Sequence, residues 1–579
     1  MSSQGVSKRI CSQPKDRKRS RFGCGTCRAR KVKCDQAFPI CRTCSSSSRV
    51  CDGYGVWGGG GSNAVGLRRP REALFQAASP KPLYMPFLVA NTVEKEHFDW
   101  FKHRALPKIP GSFNNDFWTT LLPQACLSER AILNAVLALS SIHRGDSKIP
   151  SRQSDGQAGS GPKCKDKTET FALQHYVQAI AHLQPYLSSR DRRSLRITLI
   201  ACIVFVSTDF LRGHFETARN HVHSGLKLLA EMQHPASANG RDNQIEDAGK
   251  SYVNVGFGDS TDQWIAEVLS RLHIQISLYL PPTDHPQIYF HIPACHPRPQ
   301  LFESHKTAWI ELDRQFHIVL DLARRARQHQ RDPLESPSLP AVMEKAQRSV
   351  LMDLEQWSVI YKASESVFVR GRSTEEIRAY HIIGIYHIMV TVMAHTCLHP
   401  NDESIFDKYT HLFLFLTEET ERVRFSVGRP EEEMQLPENA MFDLPRSIID
   451  VGCIPQLYYC ALKCRVHNIR HRILALMRSM IHREGIWDAR IVTAIAQRVV
   501  EVEEGDYYKS VETPMEDSWL KSTSILPESY RLRDVEFVYS GEPFDKVLLF
   551  CTGTQSSHKG KRVCIGQYDV ISRSWQDSF

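Results

Sequence analysis

Six cysteines lie within 28 residues at the spacing Cys24-x2-Cys27-x6-Cys34-x6-Cys41-x2-Cys44-x6-Cys51. Each cysteine of the first half has a counterpart 17 residues later, so the segment is two copies of C-x2-C-x6-C. The other eleven of the 17 cysteines are scattered. The N-terminus is polar and basic, without the apolar stretch of a secretory signal, so free thiols in a reducing compartment are expected rather than a disulfide framework. Clustered thiolates there call for a metal, and soft sulfur ligands in a tetrahedral shell favour zinc. One tetrahedral zinc uses four cysteines and strands two. Two zinc ions need eight ligand positions, which six cysteines fill only if two thiolates bridge both metals. Cys24 and Cys41, leading their half-repeats, are the expected bridges. So small a unit has almost no hydrophobic interior, and metal binding must supply most of its folding free energy.

Charge is concentrated in the same place. The 579-residue chain carries a net +9, yet residues 1–54 hold thirteen Lys or Arg against three Asp or Glu, a net of +10. The remainder is close to neutral. Six thiolates with two Zn(II) bring the basic segment only to about +8. A short, strongly basic segment is the electrostatic footprint of a polyanion partner. Between Cys27 and Cys34 four of six residues are cationic, in Arg28-Ala29-Arg30-Lys31-Val32-Lys33. Between Cys44 and Cys51 only Arg49 is. The scaffold repeats and the charge does not, which singles out the first half as the face toward DNA.

The run Gly23-Cys24-Gly25-Thr26-Cys27-Arg28-Ala29-Arg30-Lys31-Val32-Lys33-Cys34-Asp35, then Phe38-Pro39-Ile40-Cys41-Arg42-Thr43-Cys44 and Cys51-Asp52-Gly53-Tyr54, resembles the fungal Zn(2)-C6 binuclear zinc-cluster transcription factors. The resemblance implies one short helix per half, with the first entering the major groove. It implies that Lys31, helped by Arg30, contacts guanines of a CGG-type triplet, while Arg28, Lys33 and Arg42 hold phosphates. Chemistry agrees, since cationic side chains match guanine N7 and O6, whereas phosphate contacts only position the protein. Lys15, Arg17, Lys18, Arg19 and Arg21 precede the cluster and fit a nuclear import signal, an arm on the DNA backbone, or a solvated tail. The nucleus is the expected location.

Four units are expected along the chain. Residues 1–21 form a basic tail, 22–54 the zinc cluster, 55–93 a Gly- and Pro-rich flexible linker, and 94–579 a large, mainly α-helical region. Period-3.6 patterning predicts helices near 94–106, 114–124, 127–144, 168–187, 191–211, 214–232, 262–279, 303–330, 340–362, 374–398, 404–420, 446–484 and 487–504. Gly-, Ser- and Asp-rich loops are expected at 145–165 and 233–260. Alternation with turn signals over 534–577 predicts two or three short strands. The apolar run Ile197–Val206 is too short to span a bilayer and is expected as a buried helix, with no membrane partner.

Phe98, Trp100-Phe101, Asn115-Asp116-Phe117-Trp118 and Ala131–Leu139 resemble the regulatory region of one branch of the same family, the fungal-specific transcription factor domain. Trp100, Phe117 and Trp118 are expected in the core. The implied partners are double-stranded DNA and transcription machinery or coregulators. No sustained heptads occur between Val56 and Val93, which leaves open monomeric binding or a homodimer through the helical region. The acidic and apolar run Glu431–Leu444 reads as an activation segment or a plain acidic loop. Enzymatic function is not expected, as no H-E-x-x-H, P-loop, G-x-S-x-G or dinucleotide fingerprint is present. His221 and His223 point to different helix faces, Cys460 and Cys464 read as buried thiols, and the 25 histidines form no convincing cluster. The competing readings are an adaptor or corepressor that does not bind DNA, and an enzyme or metabolite-binding protein with an appended zinc module.

Overall fold

The computed structural model describes residues 27, 30, 32–35, 41–47, 91–113, 115–145, 163–233, 251–255, 260–279, 288–292, 299–331, 341–370, 372–425, 447–508, 525–540, 545–552 and 562–576. In the cysteine segment one short helix is described, α1 (Arg42–Ser45). The basic tail, the linker up to residue 90 and the Glu431–Leu444 segment lie outside the described residues.

From residue 91 onward helices dominate. Asn91 caps α2 (Thr92–Trp100) by accepting from the Glu94 N–H, and the chain continues through a π-turn at Phe101–Ala105. A second π-turn, Phe117–Leu121, leads into α3 (Leu122–Ser128), followed by α4 (Arg130–Gly145), α5 (Lys163–Leu187), α6 (Arg192–Arg212) and α7 (Phe215–Gln233). α6 is buried on every side from Ser194 to Leu211, with α4, α5, α7 and a later helix around it. A helix apolar all round belongs in a core. At 21 residues it has the length and apolarity to cross a membrane, more than its central apolar run suggests, but protein covers it. Phe117 and Trp118 are also core residues, while Trp100 is half-buried and donates to His143 Nδ1 at 3.1 Å.

The next layer comprises β1 (Ser251–Asn254), α8 (Ser260–Tyr279), β2 (Ile288–His291), α9 (His305–Arg331), α10 (Ala341–Val369), α11 (Thr374–Thr396) and α12 (Thr410–Phe425). β1 and β2 pair in parallel, Val253 opposite Phe290, across the α8 crossover. The 233–260 segment was expected to be entirely loop, so this strand is a correction. Ser251-Tyr252-Val253-Asn254 is too short to show an alternation, and the partner that stabilises it lies 37 residues away. Two buried ion pairs bind α8 to its neighbours. Arg196 Nε reaches Asp262 Oδ1 at 2.6 Å, and Arg271 Nε lies 2.8 Å from both oxygens of Asp450.

The predicted helical stretch 446–484 is in fact two helices and extended chain, α13 (Ile454–Lys463) and α14 (His467–Arg478), then a small hairpin of β3 (Arg483–Glu484) and β4 (Trp487–Asp488) before α15 (Ala489–Glu504). Pro455 starts α13 because its ring suits the first helical turn and no later one. Extended backbone at Cys464 and Val466 separates α13 from α14. The chain ends in a four-stranded antiparallel meander, β5 (Arg533–Ser540), β6 (Lys546–Thr552), β7 (Arg562–Asp569) and β8 (Ser574–Gln576), one strand more than the sequence suggested. Val547, Leu549 and Cys551 face inward from β6, and Tyr279, Tyr458, Trp487, Phe537 and Tyr539 interlock the sheet with the helices.

Candidate metal centre and nucleic-acid interface

Cys27, Cys34, Cys41 and Cys44 are buried and form a small interior of their own. Cys24 and Cys51 lie outside the described residues. Cys27 Sγ is 3.6 Å from Cys41 Sγ and 3.7 Å from Cys44 Sγ. Sulfurs on one tetrahedral zinc, each about 2.3 Å from the metal, stand about 3.8 Å apart. These spacings fit thiolates around a shared zinc and are far longer than a disulfide bond of about 2.05 Å. Cys41 belongs to two groupings whose ligand atoms lie within 4.8 Å of one another, one with Cys27 and Cys44 and one with Cys34 and Asp35. A sulfur common to both sets is what two metals sharing six cysteines require.

Local hydrogen bonds hold the frame. The Val32 N–H donates to the Cys27 carbonyl at 3.0 Å. Asp35 reaches across to the second half, accepting from the Arg42 and Thr43 N–H groups at 3.1 Å each and from the Thr43 hydroxyl at 3.2 Å. Desolvation works against its charged form, but those backbone and hydroxyl donors outweigh it and hold the carboxyl below its ordinary range. Asp35 was not among the residues expected to act. Its signal was available in the repeat, because Cys34-Asp35 recurs as Cys51-Asp52.

Of the residues expected at DNA, Lys33 and Arg42 are exposed on the surface of the cluster. Arg30 is half-buried and its Nη1 donates to Ser47 Oγ at 2.9 Å, so it braces the two halves against each other. A guanidinium has five N–H donors in a fixed fork, and one such bond leaves others for a base or phosphate. Lys31, Arg28 and the import-signal residues Lys15, Arg17, Lys18, Arg19 and Arg21 lie outside the described residues.

Ser270, Asp313 and His317 have the composition of a nucleophilic triad within the helical region. The Ser270 hydroxyl is 2.8 and 3.0 Å from the two Asp313 oxygens and 2.8 Å from His317 Nε2. All three are buried, and serine and histidine converge on one carboxylate rather than standing in a serine–histidine–carboxylate relay. The trio joins α8 to α9 as a satisfied polar contact. Cys460 and Cys464 are buried as expected, with burial pushing both thiols upward, Cys464 to about 11.

Comparison with known proteins identifies two segments. The model of the fungal Zn(2)-Cys(6) binuclear cluster domain matches residues 22–56, and that of the fungal specific transcription factor domain matches residues 96–499. The aspercryptin biosynthesis cluster-specific transcription regulator of Emericella nidulans is 33% identical over 236 residues, 37% of this chain and 35% of that protein. A transcription regulator of Purpureocillium lilacinum is 23% identical over 207 residues, 36% of this chain and 48% of that protein. A transcription activator of Alternaria alternata is 61% identical over 33 residues, 6% of this chain and 4% of that protein. The chain thus spans between a third and a half of the length of the first two relatives. No solved structure matches it. A cysteine frame with zinc spacings, joined in one chain to a helical region that matches over most of its length, makes this protein a member of the fungal Zn(2)-Cys(6) transcription factor family, whose cluster domain takes two zinc ions.

Proposed function

We propose that the chain is a sequence-specific transcription regulator that works in the nucleus, reads CGG-like triplets in the major groove through its first half-repeat, and is governed by the helical region. The observation that carries this reading is the placement of Cys41 in both sulfur groupings beside exposed Lys33 and Arg42. A frame with Cys24 and Cys41 as bridges, completed by Cys27, Cys34, Cys44 and Cys51, would present the Arg28–Lys33 run on a rigid turn. Lys31 would reach the base edges, with Arg30 beside it on its remaining donors. Arg28, Lys33 and Arg42 would neutralise phosphates and release counterions. The unit from 22 to 54 would read DNA, 55–93 would tether it, 94–579 would regulate it, and Lys15–Arg21 would direct nuclear import. Coregulators would meet the helical region, which is also where two copies would pair if the regulator binds DNA as a dimer. The role is one of binding rather than catalysis.

The test is equilibrium binding of the zinc-loaded full chain to duplexes with and without the triplet, over a range of salt concentrations. The Lys31→Ala variant should lose about 1–3 kcal/mol of discrimination at the triplet. Arg42→Ala should weaken all duplexes alike and flatten the salt slope by about one unit. Undiminished triplet preference in Lys31→Ala would remove the base-reading assignment, and salt-independent binding would remove the DNA reading altogether.

A further inference from the structure

We propose that the helical region carries a second, separate zinc-class site formed by His467, His471 and Glu504. His467 and His471 sit one turn apart on the same face of α14, the spacing at which helical side chains meet. Their rings are 4.1 Å apart. Glu504, the last residue of α15, turns its carboxylate to both, with Oε2 at 2.7 Å from His467 Nδ1 and 3.4 Å from His471 Nε2. The three ligand atoms all lie within 4.8 Å of one another. For zinc held at about 2.0–2.1 Å from each ligand, the tetrahedral edge is about 3.4 Å. The His471 edge already has that length, and the His467 edge, at 2.7 Å, needs the carboxylate to back away by about 0.7 Å.

Burial is graded as an accessible metal site requires. The Glu504 side chain is 9% exposed, while those of His467 and His471 are 38% and 48% exposed. One side of the ligand triangle therefore faces solvent and can supply a water as fourth ligand, as in open zinc sites with three protein ligands. Surrounding groups hold the ligands in place. Glu504 Oε1 lies 3.5 Å from Arg470 Nη1, and the ring of Tyr508 packs 4.6 Å from that of His467. Such outer contacts fix ligand orientation. Two imidazoles and one carboxylate suit zinc and its late first-row neighbours, not calcium or magnesium, which take oxygen ligands.

Charge sets the strength. Arg470 is fully buried, and its Nη2 pairs with Glu503 Oε2 at 2.5 Å, so a divalent ion beside Glu504 has a fixed cation nearby. The site therefore fills at higher free zinc than the cysteine cluster, and its occupancy would pin the end of α15 to the start of α14. Zinc availability would then tune the helical region independently of the DNA-reading cluster.

The experiment is equilibrium dialysis of the untagged full chain against buffered free zinc, with bound metal counted by elemental analysis. The expected result is two tightly held equivalents and a weaker third, with the third absent in His471→Ala and in the His467→Ala/His471→Ala double variant. His471 is half exposed, so the single variant spares the buried network. Cobalt(II) substitution supplies a second readout. The third equivalent should add ligand-field absorption without the thiolate charge-transfer band of the cluster, and His471→Ala should abolish that addition. A plateau at two equivalents in the unaltered chain overturns the proposal, as does a third equivalent that survives both variants.

Discussion

Asp35 is where the two halves of the cysteine repeat are tied, because its carboxylate accepts from the start of α1 while its own backbone follows Cys34. Shifted by 17 residues, Arg42 and Thr43 become Gly25 and Thr26, and Asp35 becomes Asp52. The same tie is thus written twice in the sequence. Asp35→Ala removes acceptors that orient the turn carrying Cys41 and Cys44. It should lower zinc affinity on the order of tenfold, the low end for groups that orient metal ligands, measurable by competition with a chromophoric chelator. Because the folded carboxyl titrates below its unfolded value, its contribution is present above the unfolded pKa and fades as pH falls through the depressed folded one. At this scale the sequence revealed much. Cys27, Cys34, Cys41 and Cys44 do come together, and the cysteine cluster declared itself because its spacing is written along the chain. Arg30 did not, since its bond to Ser47 depends on how the halves fold together. The His467–His471 pair was equally hidden, because Glu504 completes it from another helix 33 residues on.

Helices were legible wherever one face repeated every 3.6 residues, as in α4 and α7, and also in α6, whose continuous apolar run matched its burial. What escaped was structure decided by partners. β1 is ordered by β2 across α8, and the hairpin after α14 meets α8 where Trp487 packs edge-on against Tyr279. Gly485 makes this plain. It adopts φ +56°, and a Cβ there would stand 1.9 Å from Gln275 Oε1, whose Nε2 donates to the Ile449 carbonyl at 2.9 Å. Gly485→Ala should cost roughly 1–3 kcal/mol from backbone strain alone, plus the disturbance of the Gln275 contact, seen as a lower urea midpoint. Gly505 also has positive φ, but nothing lies within 4 Å of its would-be Cβ. At φ +45° and ψ −123° an alanine there is strained by the backbone even without a clash, so Gly505→Ala should also lower the urea midpoint, and an unchanged midpoint would contradict that strain. Nearby Gly452 leaves room for the Glu484 carboxylate, which accepts from the Cys453 and Ile454 N–H groups and so satisfies the start of α13.

The molecule combines two ways of staying folded. Among the described residues, the interior of the cysteine frame consists of thiols alone, whereas the helical region is built on an extensive apolar core. Strong chelation should therefore abolish DNA binding while leaving most of the far-UV helical signal intact, and parallel loss of both would contradict this division. The close of the chain is not an appendage to that core. Arg531 donates to the carbonyls of Leu526 and Glu403 and to Asp407, and the Leu532 N–H donates to Glu503 Oε1 at 2.8 Å. Tyr279 of α8 meets Phe537 and Tyr539 of the first strand. A premature stop codon in the stretch after Gly505 would uncover that aromatic surface and take the Leu532 N–H away from the Glu503 carboxylate. Serial deletions from this end would then report clearance of a misfolded product, and a lost transcriptional output in such alleles should not be taken to map an effector segment there.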